Sequence, residues 1–131
     1  MRILVVEDDL TSRMFLQELL SKHGNVHVAI NGAEATEAVR ISLENGKPYN
    51  LICLDIMMPE MNGQEALRHI RAMEEENGIL SSKGAKIIMT TSMADLKNVT
   101  EAYKNLCDAY ITKPVNGNKL LEEIRKFELV V

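Results

Sequence analysis

Four groups of reactive residues in this 131-residue chain each stand at the end of a short apolar run. Ile3-Leu4-Val5-Val6 ends on Glu7-Asp8-Asp9, and Leu51-Ile52-Cys53-Leu54 ends on Asp55. The run starting at Ala85 ends on Thr90-Thr91-Ser92, and the one starting at Ala109 ends on Lys113-Pro114. A carboxylate that closes a strand buried on both faces is costly unless something pairs with it, so Asp55 needs partners. If the runs are parallel strands, their ends share one rim, and the acids, the hydroxyls and the ammonium meet there. Clustered carboxylates repel unless a cation neutralises them. A hard divalent ion such as Mg²⁺ does so with one or two protein carboxylates and several waters. Carboxylate nucleophile, metal, ammonium and hydroxyl together suit transfer of a phosphoryl group onto Asp55, with the metal and Lys113 offsetting charge on the transferred group.

The elements that must position these groups follow from apolar spacing. After the first strand, Leu10, Met14, Phe15, Leu19 and Leu20 recur at helical intervals up to His23 and predict a helix with those residues on its apolar face. Gly24-Asn25 closes it, and residues 26–30 read as a second strand. Asn31-Gly32 opens a helix through Ala35, Ala38 and Val39 that fades at Asn45-Gly46-Lys47-Pro48. After Asp55, Pro59 and Asn62-Gly63 form a loop before a helix carrying Leu67, Ile70 and Met73. Residues 74–84, acidic and then Ser- and Gly-containing, read as a loop. Leu96, Val99, Ala102, Tyr103 and Leu106 trace a fourth helix between the last two strands, and Leu120, Leu121, Ile124 and Phe127 a fifth at the end.

Five repeats of strand then helix imply an α/β fold with a parallel sheet covered on both faces. Right-handed crossovers leave few topologies, and the expectation is the flavodoxin-like, doubly wound five-stranded order 2-1-3-4-5. Only Leu129-Val130-Val131 follow the last helix, so one domain over residues 1–131 with no output domain is expected.

Composition narrows the function. A net charge of −4 lacks the basic stripe of a nucleic-acid surface. No apolar stretch spans a bilayer, and Met1-Arg2 leads straight into a strand without a signal peptide, so no membrane role and a cytoplasmic location are expected. Cys53 and Cys107 show no metal spacing, and Cys53 reads as a buried small hydrophobe. His23, His27 and His69 are scattered without the spacing of metal ligands.

The ordered pieces Ile3-Leu4-Val5-Val6-Glu7-Asp8, Leu54-Asp55-Ile56-Met57-Met58-Pro59 with Met61-Asn62-Gly63, Thr91-Ser92 and Tyr110-Ile111-Thr112-Lys113-Pro114 resemble the receiver domain of a two-component response regulator, of the stand-alone chemotaxis-regulator kind. The resemblance runs from Arg2 to Phe127. It implies that Asp55 is the phosphorylated aspartate and that Glu7 and Asp8 are the acidic pair holding Mg²⁺, Asp8 directly and Glu7 through water. It implies a further metal oxygen from the Met57 carbonyl, a switch hydroxyl at Thr91, an ion-pair partner at Lys113, a cis Lys113–Pro114 peptide and a rotating aromatic at Tyr110. Asp9 falls outside the pair and suits a helix N-cap.

The implied partners are a sensor histidine kinase or phosphotransfer protein and a downstream protein that reads the surface of the predicted fourth helix, fifth strand and fifth helix. The chain would then be a signalling switch that catalyses only its own phosphorylation and dephosphorylation. Apolar Met57 and Met93, two residues beyond Asp55 and Thr91, suggest shielding of the acyl phosphate and slow self-dephosphorylation. Two rival classes fit less well. An Asp-nucleophile phosphatase wants a second acid where Met57 stands, and a flavin- or nucleotide-binding module wants a phosphate loop where Glu7-Asp8-Asp9 stand.

Overall fold

Five strands and four α-helices follow one another among the described residues: β1 (Arg2–Val6), α1 (Leu10–Ser21), β2 (Asn25–Ala29), α2 (Gly32–Glu44), β3 (Leu51–Asp55), α3 (Gly63–Glu76), β4 (Lys86–Thr91), β5 (Ala109–Thr112) and α4 (Gly117–Lys126), with a 3₁₀ turn at Ser81–Lys83. The structure is a computed structural model that describes residues 1–58, 61–92, 102–103 and 106–129. Pro59, Met93 and most of the predicted fourth helix, including Leu96 and Val99, lie outside the described residues.

All four strand pairings are parallel, and the sheet order is β2-β1-β3-β4-β5, as the sequence predicts. Strand side chains alternate between faces, and each face has its own core. Leu4, Val6, Ile52, Leu54, Ile87 and Met89 meet Ala35 and Val39 of α2 and Leu67 and Ile70 of α3. Ile3, Val5, Cys53, Ile88 and Ile111 meet Leu16 and Leu20 of α1 and Leu120 and Ile124 of α4. Central β3 is buried along its whole length, which explains its unbroken apolar run. Burial also pushes the Cys53 thiol up to about 12, in keeping with a packing role.

Each of the four described α-helices opens on a side-chain cap. Asp9, Asn31, Asn62 and Asn116 accept from the backbone N–H three residues on, satisfying donors that the first helical turn leaves unpaired. Asp9 therefore takes the cap role expected of it.

Two sequence expectations are corrected. Leu10, Met14 and Phe15 do not form the inner face of α1; they are exposed, and Leu16 and Leu20 are the buried pair. The run of apolar residues is wider than the stripe a helix can bury, so spacing alone misplaced the face. The second concerns residues 74–84, expected to be a loop throughout. Helix α3 continues through Glu76, and Glu74 is buried, held by Arg71 Nη1 at 2.7 Å and by the Ala85 N–H at 2.7 Å. Three consecutive glutamates look like a solvated chain, but one of them pairs inside the protein.

Candidate phosphoryl-acceptor site

Parity along the strands brings the reactive residues together. Val6 is the register partner of Leu54, so Glu7 and Asp55 end neighbouring strands side by side. Glu7, Asp55 and Lys113 continue the odd-numbered alternation that puts Ile3 and Val5, Cys53, and Ile111 into the core beneath α1 and α4. All three side chains therefore emerge on one side of the carboxyl rim.

Lys113 Nζ lies 2.6 Å from Glu7 Oε1 and 3.2 Å from Asp55 Oδ2, bridging the two acids. Asp55 is 3% exposed, and its Oδ1 accepts the Met57 N–H at 3.2 Å. Asp8 completes the cluster from the exposed side: one oxygen from each of Glu7, Asp8 and Asp55 lies within 4.8 Å of the others. Burial, then the hydrogen bond and charge of Glu7, push the Asp55 carboxyl up to about 8 against the pull of Lys113. Burial would lower the Lys113 ammonium, but the hydrogen bond to Glu7 and the charges of Asp55 and Glu7 outweigh it, and its pKa is raised.

The donor set fits a hard divalent cation. Three carboxylate oxygens converge, and Glu7 Oε2 is buried with no hydrogen-bond partner among the described residues.

Helix α3 starts directly under this cluster. Asn62 caps it, and Gly63 approaches so closely that a Cβ there would lie 2.2 Å from the Asp55 carbonyl oxygen. The glycine in Met61-Asn62-Gly63 thus lets a helix N-terminus abut the end of β3.

The remaining predicted residues stand at different distances from the acids. Thr90 is the register partner of Asp55, and buried Thr91 follows it at the end of β4. The Thr91 carbonyl accepts the Lys113 N–H at 2.7 Å, tying those two residues by their backbones, while its hydroxyl donates to the Ser92 carbonyl at 3.2 Å. The Lys113–Pro114 peptide is cis, as the motif implies. Tyr110 is half-exposed on β5, its ring edge-on to Tyr103 at 6.0 Å between centroids. The Met57 side chain is exposed.

Sequence reasoning gave no role to Arg13. Its Nη1 donates to the Glu7 carbonyl at 3.0 Å and reaches the Asp8 carbonyl at 3.4 Å. A basic residue one turn after the Asp9 cap was the only signal, and it is a common surface pattern. A cavity of about 310 Å³ opens beside the cluster, shared by Glu7 and Lys113 and walled mainly by Phe15, Leu16, Pro114 and Val115.

Known proteins agree with this architecture. The family model described as "Response regulator receiver domain" matches residues 3–125. The chain is 34% identical over 127 residues to the chemotaxis protein CheY of Bacillus subtilis, covering 95% of each. A CheY-like receiver domain from Methanospirillum hungatei superposes with a TM-score of 0.80 at 30% identity, over 97% of this chain and 93% of the other. The receiver domain of Ssk1 from Saccharomyces cerevisiae, solved in complex with the histidine phosphotransfer protein Ypd1, gives 0.83 at 28% identity over all of this chain and 92% of the other. With its fold, its motif order and these likenesses in agreement, the chain belongs to the response regulator receiver domains, the CheY-like signalling switches of two-component systems.

Proposed function

We propose that Asp55 is the phosphoryl acceptor of this domain and that a phosphohistidine on a kinase or phosphotransfer protein is the donor. The carrying observation is a buried carboxylate at the end of β3, flanked within 4.8 Å by two further acids and contacted by one ammonium. An Asp55 oxygen attacks phosphorus, the P–N bond breaks, and its electron pair stays on the donor imidazole. Lys113 meets the negative charge gathered on the phosphoryl oxygens. Glu7, Asp8, Asp55 and the Met57 carbonyl would hold Mg²⁺, which when bound supplies positive charge at the same oxygens. Exposed Leu10, Met14 and Phe15 offer the donor an apolar footing on α1, next to the cavity beside Lys113.

After transfer, the Thr91 hydroxyl turns from the Ser92 carbonyl to the new phosphoryl group. Tyr110 rearranges with Tyr103 on the surface formed by β5 and its neighbouring helices, where a downstream protein reads the change. The two arrangements differ by a few kcal/mol at most, so the phosphoryl group biases an existing equilibrium.

The test is intact-mass spectrometry after treatment with acetyl phosphate and Mg²⁺. One added phosphoryl group is expected on the wild type and none on Asp55→Ala. Incorporation that persists in Asp55→Ala would sink the assignment.

A further inference from the structure

We infer that Arg13 is a positioning residue that holds the acidic pair in a metal-ready arrangement by clamping the main chain of Glu7 and Asp8. The inference rests on the phosphoacceptor reading and deepens its metal-binding half. Glu7, Asp8 and Asp9 are three consecutive acids between β1 and α1, and two of them contribute to the carboxylate cluster. Their like charges favour a splayed loop unless something fixes the backbone. Glu7 is fixed on one side by its N–H, which donates to the Ala29 carbonyl at 3.1 Å. Asp9 is fixed on the other by its cap of α1, where it accepts the Ser12 N–H at 2.9 Å.

Between these two anchors lie the carbonyls of Glu7 and Asp8, and Arg13 reaches both with the same nitrogen, the nearer at 3.0 Å. Arg13 is itself set by helix geometry. It is the residue whose N–H closes the first α1 turn onto the Asp9 carbonyl at 2.9 Å. The guanidinium thus doubles back from the second turn of α1 onto the segment that precedes the helix. It bonds carbonyls and leaves the carboxylate oxygens to other partners, which suits a group that orients ligands without consuming them. Residues that orient metal ligands in this way commonly matter about ten-fold to metal affinity.

The sign of the effect separates this role from mere proximity of charge. A nearby positive charge repels a cation, so a purely electrostatic Arg13 would weaken Mg²⁺ binding, and its removal would tighten it. A positioning Arg13 predicts the opposite. Arg13→Met keeps the length of the stem without charge or donors, and Arg13→Lys keeps the charge and a donor on a flexible stem.

Mg²⁺ is titrated into the metal-free wild type, Arg13→Met, Arg13→Lys and Asp8→Asn, following backbone amide NMR shifts, with amide hydrogen exchange at residues 8–10 measured before metal is added. The expected result is affinity about ten-fold weaker in Arg13→Met, largely restored in Arg13→Lys, with faster exchange at residues 8–10 in Arg13→Met alone. Equal or tighter Mg²⁺ binding by Arg13→Met, while Asp8→Asn binds poorly, overturns the Arg13 role and leaves the acceptor reading standing. A wild type whose Mg²⁺ response does not depend on Asp8 overturns both. If Arg13→Met does not fold, Arg13→Leu, also without charge or donors, takes its place under the same criteria.

Discussion

Asp55 is held in conflict: burial and Glu7 favour its protonated form, while Lys113 favours the charged one. The balance gives a pKa near 8 in the metal-free fold against an ordinary value near 3.9 in an unfolded chain. An acid whose folded pKa is raised adds stability that is fully present below its unfolded pKa and is lost as pH rises through the folded one. Metal-free wild type should therefore lose stability relative to Asp55→Asn between about pH 4 and pH 8, a difference read by thermal melts at fixed ionic strength. Parallel melting profiles for the two proteins would remove the argument. The raised Lys113 pKa acts above the ordinary lysine range and leaves this window untouched. The acids and the lysine were legible in the sequence because each ends an apolar run. Arg13 was not, since what gives it a role is the direction its side chain takes across the loop.

Among the elements, the junction of β3 and α3 is tightly drawn. Gly63 lets the α3 N-terminus touch the strand end, with the Gly63 N–H donating to the Ile56 carbonyl at 2.9 Å. An added methyl would strike main-chain atoms of Asp55 and Ile56, which cannot swing aside as a side-chain tip can. Gly63→Ala should cost about 1–3 kcal/mol of stability, the usual range for overpacking. Urea denaturation measures it, and phosphorylation by acetyl phosphate should slow in parallel as Asp55 shifts. A variant as stable and as reactive as wild type would contradict the close contact. Asn62-Gly63 was legible as a loop leading into a helix, whereas the reason for the glycine needed the strand beside it. Helix α1 shows the reverse failure. Its apolar residues outnumber the positions it can bury, so periodicity found the helix and mistook its inner face.

At the scale of the molecule, the rim opposite the acid cluster is tied by a buried ionic network. Arg71 on α3 donates to Glu74 at 2.7 Å, to Asp108 at 2.9 Å and to the carbonyls of Ala85 and Leu106 at 2.9 and 3.0 Å. Asp108 in turn accepts the Ile87 N–H at 2.8 Å. One guanidinium thus joins α3 to the starts of β4 and β5. Removing one member of a buried charge group strands the rest, so Arg71→Met should destabilise the protein by about 3–5 kcal/mol. A loss under ~1 kcal/mol in chemical denaturation would show the charges to be adequately solvated. The strand order was readable because strand–helix repeats joined by right-handed crossovers leave few topologies. The network was not, because its charges are scattered from Arg71 to Asp108 and only the folded sheet brings them together.

The Lys113 bridge also changes the net charge of the carboxyl rim. Three converging carboxylates and one ammonium leave an excess of two negative charges when all are ionised (three minus one). One divalent cation brings that rim to neutrality, a monovalent ion leaves it in deficit and a trivalent ion overfills it. If the site holds Mg²⁺ as proposed, the lysine is a fixed counter-charge matched to the charge of that ion. Replacing it with a neutral residue would change which valence fits as well as how tightly an ion is held.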